Sequence, residues 1–190
     1  MKEARRSFLL ETPSEPLSAA QGFLRHTRFR LREDYQVKIA SALAELTDEQ
    51  IWWRPNEASN NIGNLILHLC GNIRQWMIAG VGGAVDARDR NSEFANRGQT
   101  GKAELLALLT KTLSEVDGVL AELENETVEN SDAPLQRQIM PQGFAQTVLD
   151  SVFHVVEHFS YHTGQIVFIA KLLAGERIRF YDDRQLDVRR

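Results

Sequence analysis

His154-Val155-Val156-Glu157-His158-Phe159-Ser160-Tyr161-His162-Thr163-Gly164-Gln165-Ile166 places three histidines at successive spacings of four. Four residues carry an α-helix about 40° beyond a full turn, so neighbouring histidines share one face. Ser151 and Gln165 fall on the same face as His158 and His162, while Val155, Phe159, Ile166 and Ile169 line the face beside it. A strip that polar does not belong to ordinary core, and the apolar face beside it demands helical neighbours. The reading is a long helix from about 145 to 173, stopped by Gly175 as a C′ glycine.

Three further stretches supply the neighbours. From about 17 to 46, Leu24, Leu31, Tyr35, Ile39, Leu43 and Leu46 recur at spacings of seven, four, four, four and three, a helical period. Trp53-Arg54-Pro55 then interrupts it, because proline and the residue before it both resist the α region. A second helix is expected to start at Asn60 or Asn61, both suitable N-caps. Its stripe is Ile62, Leu65, Ile66, Leu69, Ile73, Trp76 and Met77, and it ends in Gly80-Val81-Gly82-Gly83. A polar loop leads to Gly101. A third helix follows, with Leu106, Leu109, Leu113, Val116, Leu120 and Leu123 spaced for packing. Residues 124–142 are acidic and then proline-punctuated, with a short extended piece expected at 135–140.

Four long amphipathic helices without strand alternation or an internal repeat give an all-α fold, a four-helix bundle over 17–175. Residues 1–16 read as an irregular lead-in and 176–190 as a charged tail. At 190 residues, 43% hydrophobic and 25% charged, the chain is one ordinary globular domain. A net charge of -4 gives no basic face for nucleic acid. No run approaches the roughly 20 apolar residues of a bilayer span. The lone Cys70 cannot form an internal disulfide, and Phe8-Leu9-Leu10 is too short for a signal h-region. The expectation is a cytoplasmic protein with neither nucleic acid nor membrane as partner.

Two imidazoles at i and i+4 can reach one metal ion. All three cannot do so easily, since His154 and His162 lie about 12 Å apart along the axis. The pair is therefore 154/158 or 158/162. A further ligand must come from another helix, and His68 is the candidate. It stands beside the second helix's apolar stripe in line with Asn61, Asn64 and Asn72. Matching polar strips on two helices point to a shared site. His26, in the basic stretch Arg25-His26-Thr27-Arg28, reads as a solvated residue. Glu157 falls about 100° away from His158 and reads as exposed or supporting. Trp52 and Trp53 read as packing at a helix junction, with one of them able to wall a pocket. Cys70 reads as a small buried apolar residue, its alternative as a thiolate ligand set back by facing elsewhere on the helix than His68.

Ile62-Gly63-Asn64-Leu65-Ile66-Leu67-His68-Leu69, the 154–166 stretch quoted above and the Trp-Arg-Pro at 53–55 together resemble the DinB superfamily. The resemblance spans roughly residues 20–174. It implies a four-helix bundle, commonly dimeric, with a divalent metal on one histidine of the second helix and two of the last. Those positions correspond to His68, His158 and His162, and the resemblance thereby selects 158/162. Characterised relatives include transferases and isomerases that use low-molecular-weight thiols such as bacillithiol and mycothiol, activated at the metal.

The leading expectation is therefore a metal-dependent enzyme acting on a small molecule, a thiol S-transferase or isomerase. Zinc or nickel suits three imidazoles. Asn64, His154, Tyr161 and Gln165 are the pocket candidates. The alternatives are a metal-dependent hydrolase, a non-enzymatic metal-binding or stress-related bundle, and a plain interaction bundle without metal.

Overall fold

Helix starts along this chain are fixed by side chains that satisfy the free N–H groups of a first turn. Ser18 Oγ accepts from the Gln21 N–H while Gln21 Oε1 accepts from the Ser18 N–H. Thr47 with Gln50, and Thr147 with Asp150, repeat that reciprocal arrangement. The computed structural model describes residues 17–127 and 131–180. The expected lead-in at 1–16 and the last ten residues of the expected tail lie outside that range.

Four rods result. The first is α1 (Ala19–Phe29), a π-helical segment (Arg30–Tyr35) and α2 (Gln36–Ala44). After the short α3 (Asp48–Ile51), the second rod is α4 (Ile62–Ile73) continued by a π-helical segment, Arg74–Ala79. The short α5 (Arg90–Ala95) precedes the third rod, α6 (Lys102–Glu126). α7 (Ala133–Gln136) leads to β1 (Gln138–Ile139), which pairs antiparallel with β2 (Gln146–Thr147). The fourth rod is α8 (Val148–Ala174). The fold is an all-α bundle, as expected. α1 packs on α6, α6 on α4, α4 on α8, and α8 on α2, closing a ring around one core.

The apolar stripes read from the sequence line that core. Leu24, Leu31, Tyr35, Ile39, Leu43 and Leu46 are buried, as are Ile62, Leu65, Ile66, Leu69, Ile73, Trp76 and Met77. Phe159 is fully buried and stacks on Tyr35 at 5.8 Å between ring centroids. Its truncation to alanine would cost about 3–5 kcal/mol.

Four details differ from the sequence reading. In α6 the first core residue is Leu105, with Leu106 only half-buried, because a spacing of four to Leu109 continues the stripe. α8 starts at Val148 and not near 145, since Gln146 and Thr147 are held in the ladder and Thr147 serves as the N-cap. The extended piece shrinks to Gln138–Ile139, with Leu135 in a helical turn. The first two rods also contain i→i+5 turns: the Gln36 N–H bonds the Leu31 carbonyl, and the Gly80 N–H bonds that of Gln75. A widened turn keeps residues four apart in line, so the stripe Leu31, Tyr35, Ile39 and Leu43 faces inward and still reads as an ordinary helical pattern.

Gly175 ends α8 with φ 59°, a left-handed conformation that glycine adopts without penalty. The chain then folds back, burying Ile178 and laying Phe180 against the core. No helix among the described residues is long and apolar enough to cross a membrane.

Candidate metal centre

The second and fourth rods meet along their polar strips. On α4, Asn64, His68 and Asn72 succeed one another at one-turn intervals, with Trp76 a turn further on. On α8, His154, His158 and His162 do the same. The packing of α4 on α8 joins the strips, and His68 Nε2 comes within 3.0 Å of His158 Nε2. His162 Nε2 lies 3.1 Å from the same His158 nitrogen. His68, His158 and His162 are thus brought together, each offering one ring nitrogen to a common point.

The outer nitrogens decide what those inner nitrogens carry. His68 Nδ1 lies 2.8 Å from Glu93 Oε2, which only accepts, and 3.1 Å from Arg88 Nη2, which only donates; the shorter contact assigns the proton to Nδ1. His162 Nδ1 is 2.6 Å from Gln165 Oε1 and donates likewise. Both neutral rings then turn an Nε2 lone pair toward His158 Nε2. A single proton there could serve only one of them, leaving two lone pairs face to face. A cation resolves the conflict for all three. Ligands about 2.0–2.1 Å from a tetrahedral zinc stand roughly 3.3 Å apart, close to the spacings found. The donor set and its fixed tautomers therefore fit a divalent ion.

Burial also favours the neutral form of His158 and His162, as ligation requires. His158 is pushed down to about 3, chiefly by burial and then by the neighbouring His162, His68 and His154. His162 is lowered by burial, against an opposing hydrogen bond to Gln165. His154 is lowered by burial as well. Burial works against the Glu93 carboxylate, yet its bonds to His68 and Arg88 hold it below the usual carboxylate range.

Glu93 and Arg88 were missed in the sequence, where 82–100 reads only as a polar loop. Arg88 Nε donates to Glu93 Oε1 at 2.7 Å, its Nη2 donates to Oε2 at 3.0 Å, and its side chain is only 4% exposed. Asp89 caps α5, a signal that predicts a helix start but not which residue turns inward. What admits Glu93 is Gly71 on α4. A Cβ at that position would collide with the Glu93 carboxylate and crowd Arg88. Phe94 covers the outer side of the His68 ring at 4.9 Å.

The four pocket candidates fall in different places. Gln165 touches His162 directly. His154 is half-buried, 3.1 Å from the Asn72 amide, its ring 4.2 Å from Trp76 and 5.4 Å from His158. Asn64 is buried and donates to the backbone carbonyls of Glu93 and Asn96 at 2.8 and 3.0 Å, so it clamps α5 to α4. Tyr161 is 65% exposed, its ring against the edge of His162. Glu157 and His26 are exposed. Trp52 donates from Nε1 to the Thr100 carbonyl at 3.0 Å, and its ring lies over Gly63. Cys70 is buried, and burial raises its thiol to about 12, too high for a ready thiolate.

Compared with known proteins, residues 18–181 match the family described as protein of unknown function DUF1572. No curated protein and no solved structure matches the chain. The chain belongs to the DUF1572 family.

Proposed function

We propose that this protein is a metal-dependent enzyme acting on a small molecule, with zinc or nickel held by His68, His158 and His162. The observation that carries the reading is the convergence of three Nε2 atoms at 3.0 and 3.1 Å, two of them with their outer N–H groups already engaged. Three protein ligands leave a coordination position for a reacting group, the arrangement of catalytic rather than structural zinc.

The chain's own residues do the positioning. Glu93, itself held by Arg88, fixes the His68 tautomer and raises its basicity; Gln165 does the same for His162 with a neutral acceptor. His154 and Asn72 place polar groups beside the centre, and Trp76 and Phe144, with centroids 5.9 Å apart, form an aromatic wall there. When bound, the ion supplies positive charge that lowers the pKa of a thiol or water brought to it.

The DinB resemblance directs the choice of reaction to transfer or isomerisation with a low-molecular-weight thiol, in a cytoplasmic homodimer. The test is elemental analysis of the tag-free protein, then of the loaded protein mixed with a small thiol and an electrophile. About one equivalent of metal and thiol-dependent turnover support the reading. Absence of metal after incubation with zinc and nickel salts rejects it, and metal without turnover rejects the transferase assignment.

A further inference from the structure

The metal ligands' outer partners face two separate clefts. Glu93 belongs to the wall of a cavity of about 400 Å³ between α4 and the segment at 84–96. Its charged groups are all engaged: Arg88 with Glu93, Asp86 with the Gln75 amide, Arg74 with Glu115, and Asp89 with the N–H groups of Asn91 and Ser92. That cavity asks for no ligand.

The other is different in kind. It has a volume of about 330 Å³ and lies between α8 and residues 53–60. Its floor is Leu65, 1% exposed, and its rim is Trp53, Phe168 and Leu172, exposed at 39%, 64% and 59%. Large apolar side chains left in water around a concave site mark binding surfaces. Gln165 enters this wall as a polar group with half its capacity used. Its Oε1 accepts from His162 Nδ1, while its amide nitrogen has no hydrogen-bond partner among the described residues.

We propose that this cleft binds a small single-ring ligand bearing a carbonyl oxygen, held by the Gln165 amide N–H, and that its occupancy is coupled to the metal centre. The apolar ring lies against Trp53, Ile169 and Leu65, and the carbonyl oxygen accepts from Gln165 Nε2. An amide that donates at one end becomes a stronger acceptor at the other. The ligand therefore strengthens the bond to His162 Nδ1, makes Nε2 more basic and tightens the metal. By reciprocity the metal tightens the ligand by the same factor. This coupling rests on the three-histidine metal reading; the cleft itself does not.

Benzamide is the probe, titrated into the full-length, metal-free protein by calorimetry, with the zinc affinity then measured by chelator competition at saturating benzamide. Saturable one-site binding is expected, weakened at least tenfold by Ala58→Trp, which fills the cleft from its exposed wall. Gln165→Leu should weaken benzamide similarly, because leucine neither donates to the benzamide carbonyl nor accepts from its amide. Saturating benzamide should lower the zinc Kd about fivefold, the lower end of ordinary coupling. No saturable binding, or binding indifferent to both substitutions, overturns the site. Binding with an unchanged zinc Kd overturns the coupling. A protein that takes no zinc refutes the metal reading and the coupling, while the benzamide titrations still decide the cleft. Benzamide affinity that falls as the chain self-associates would assign the cleft to a second copy and overturn the small-ligand proposal.

Discussion

His68 and His162 present the same nitrogen to the same point, yet the protein holds them by opposite means. Behind His68 stands a buried charge pair, with Glu93 and Arg88 sealed under α5 and admitted by the missing side chain of Gly71. Behind His162 stands one neutral amide three residues along the same helix, at the edge of an open apolar cleft. The first arrangement depends on the fold of a distant segment and is almost fully buried. The second is local and accessible. One side sets the centre; the other is free to respond.

The largest effect tests what the two sides share. His158→Ala should take bound metal from about one equivalent to near none by elemental analysis, because His158 is the nitrogen toward which both others point. Retention of a full equivalent would reject the site and make the comparison meaningless.

Next comes the charged side. Glu93→Gln, or Gly71→Ala acting through the displaced carboxylate, should weaken zinc about 10- to 100-fold in chelator competition. Glu93→Ala should also lower the melting temperature, since an unpaired buried guanidinium costs about 3–5 kcal/mol. Gln165→Leu should weaken zinc less than about tenfold, a neutral hydrogen bond being the weaker support. Equal losses on both sides would erase the distinction.

Acid tests the centre as a whole. The unfolded chain protonates His158 near 6.5, whereas the folded protein resists until about 3. Between those values the unfolded state holds more protons, so stability is present above pH 6.5 and lost as pH falls toward 3. His154 and His162, also lowered by burial, act in the same direction. The metal-free protein should melt at a lower temperature at pH 5 than at pH 7, and His158→Ala should flatten that difference. The smallest effect belongs to His26→Ala, which should change neither metal content nor melting temperature.

The rods were legible because helical period acts over a few residues; i, i+4 spacing narrowed the site to His68 with 154/158 or 158/162, and the DinB resemblance selected His158 and His162. His68, Leu65 and Ile66 could be placed on faces of α4, as could His158 and Phe159 on α8, from local geometry alone. Glu93 and Arg88 were not legible. Their burial depends on a notch at Gly71, on Asn64 reaching two backbone carbonyls, and on the path of a loop, none of which leaves a periodic trace. Gln165 was legible beside His162, three residues along one helix face, whereas only the packed structure shows Tyr161, a pocket candidate in the sequence, turned to water. The π-helical turns were hidden because apolar spacings of four suit a widened turn and an ordinary one alike.

His68 and His158 are 90 residues apart in the chain, and the second of them lies on the last helix. During synthesis the partial chain has no metal site until α8 has emerged and docked against α4. An ion held as proposed would bind only the finished bundle and stabilise it by mass action, favouring the completed fold over incomplete ones. On the proposed metal reading, uptake would act as a checkpoint on maturation, and the metal-free chain would be the form a cellular protease meets first.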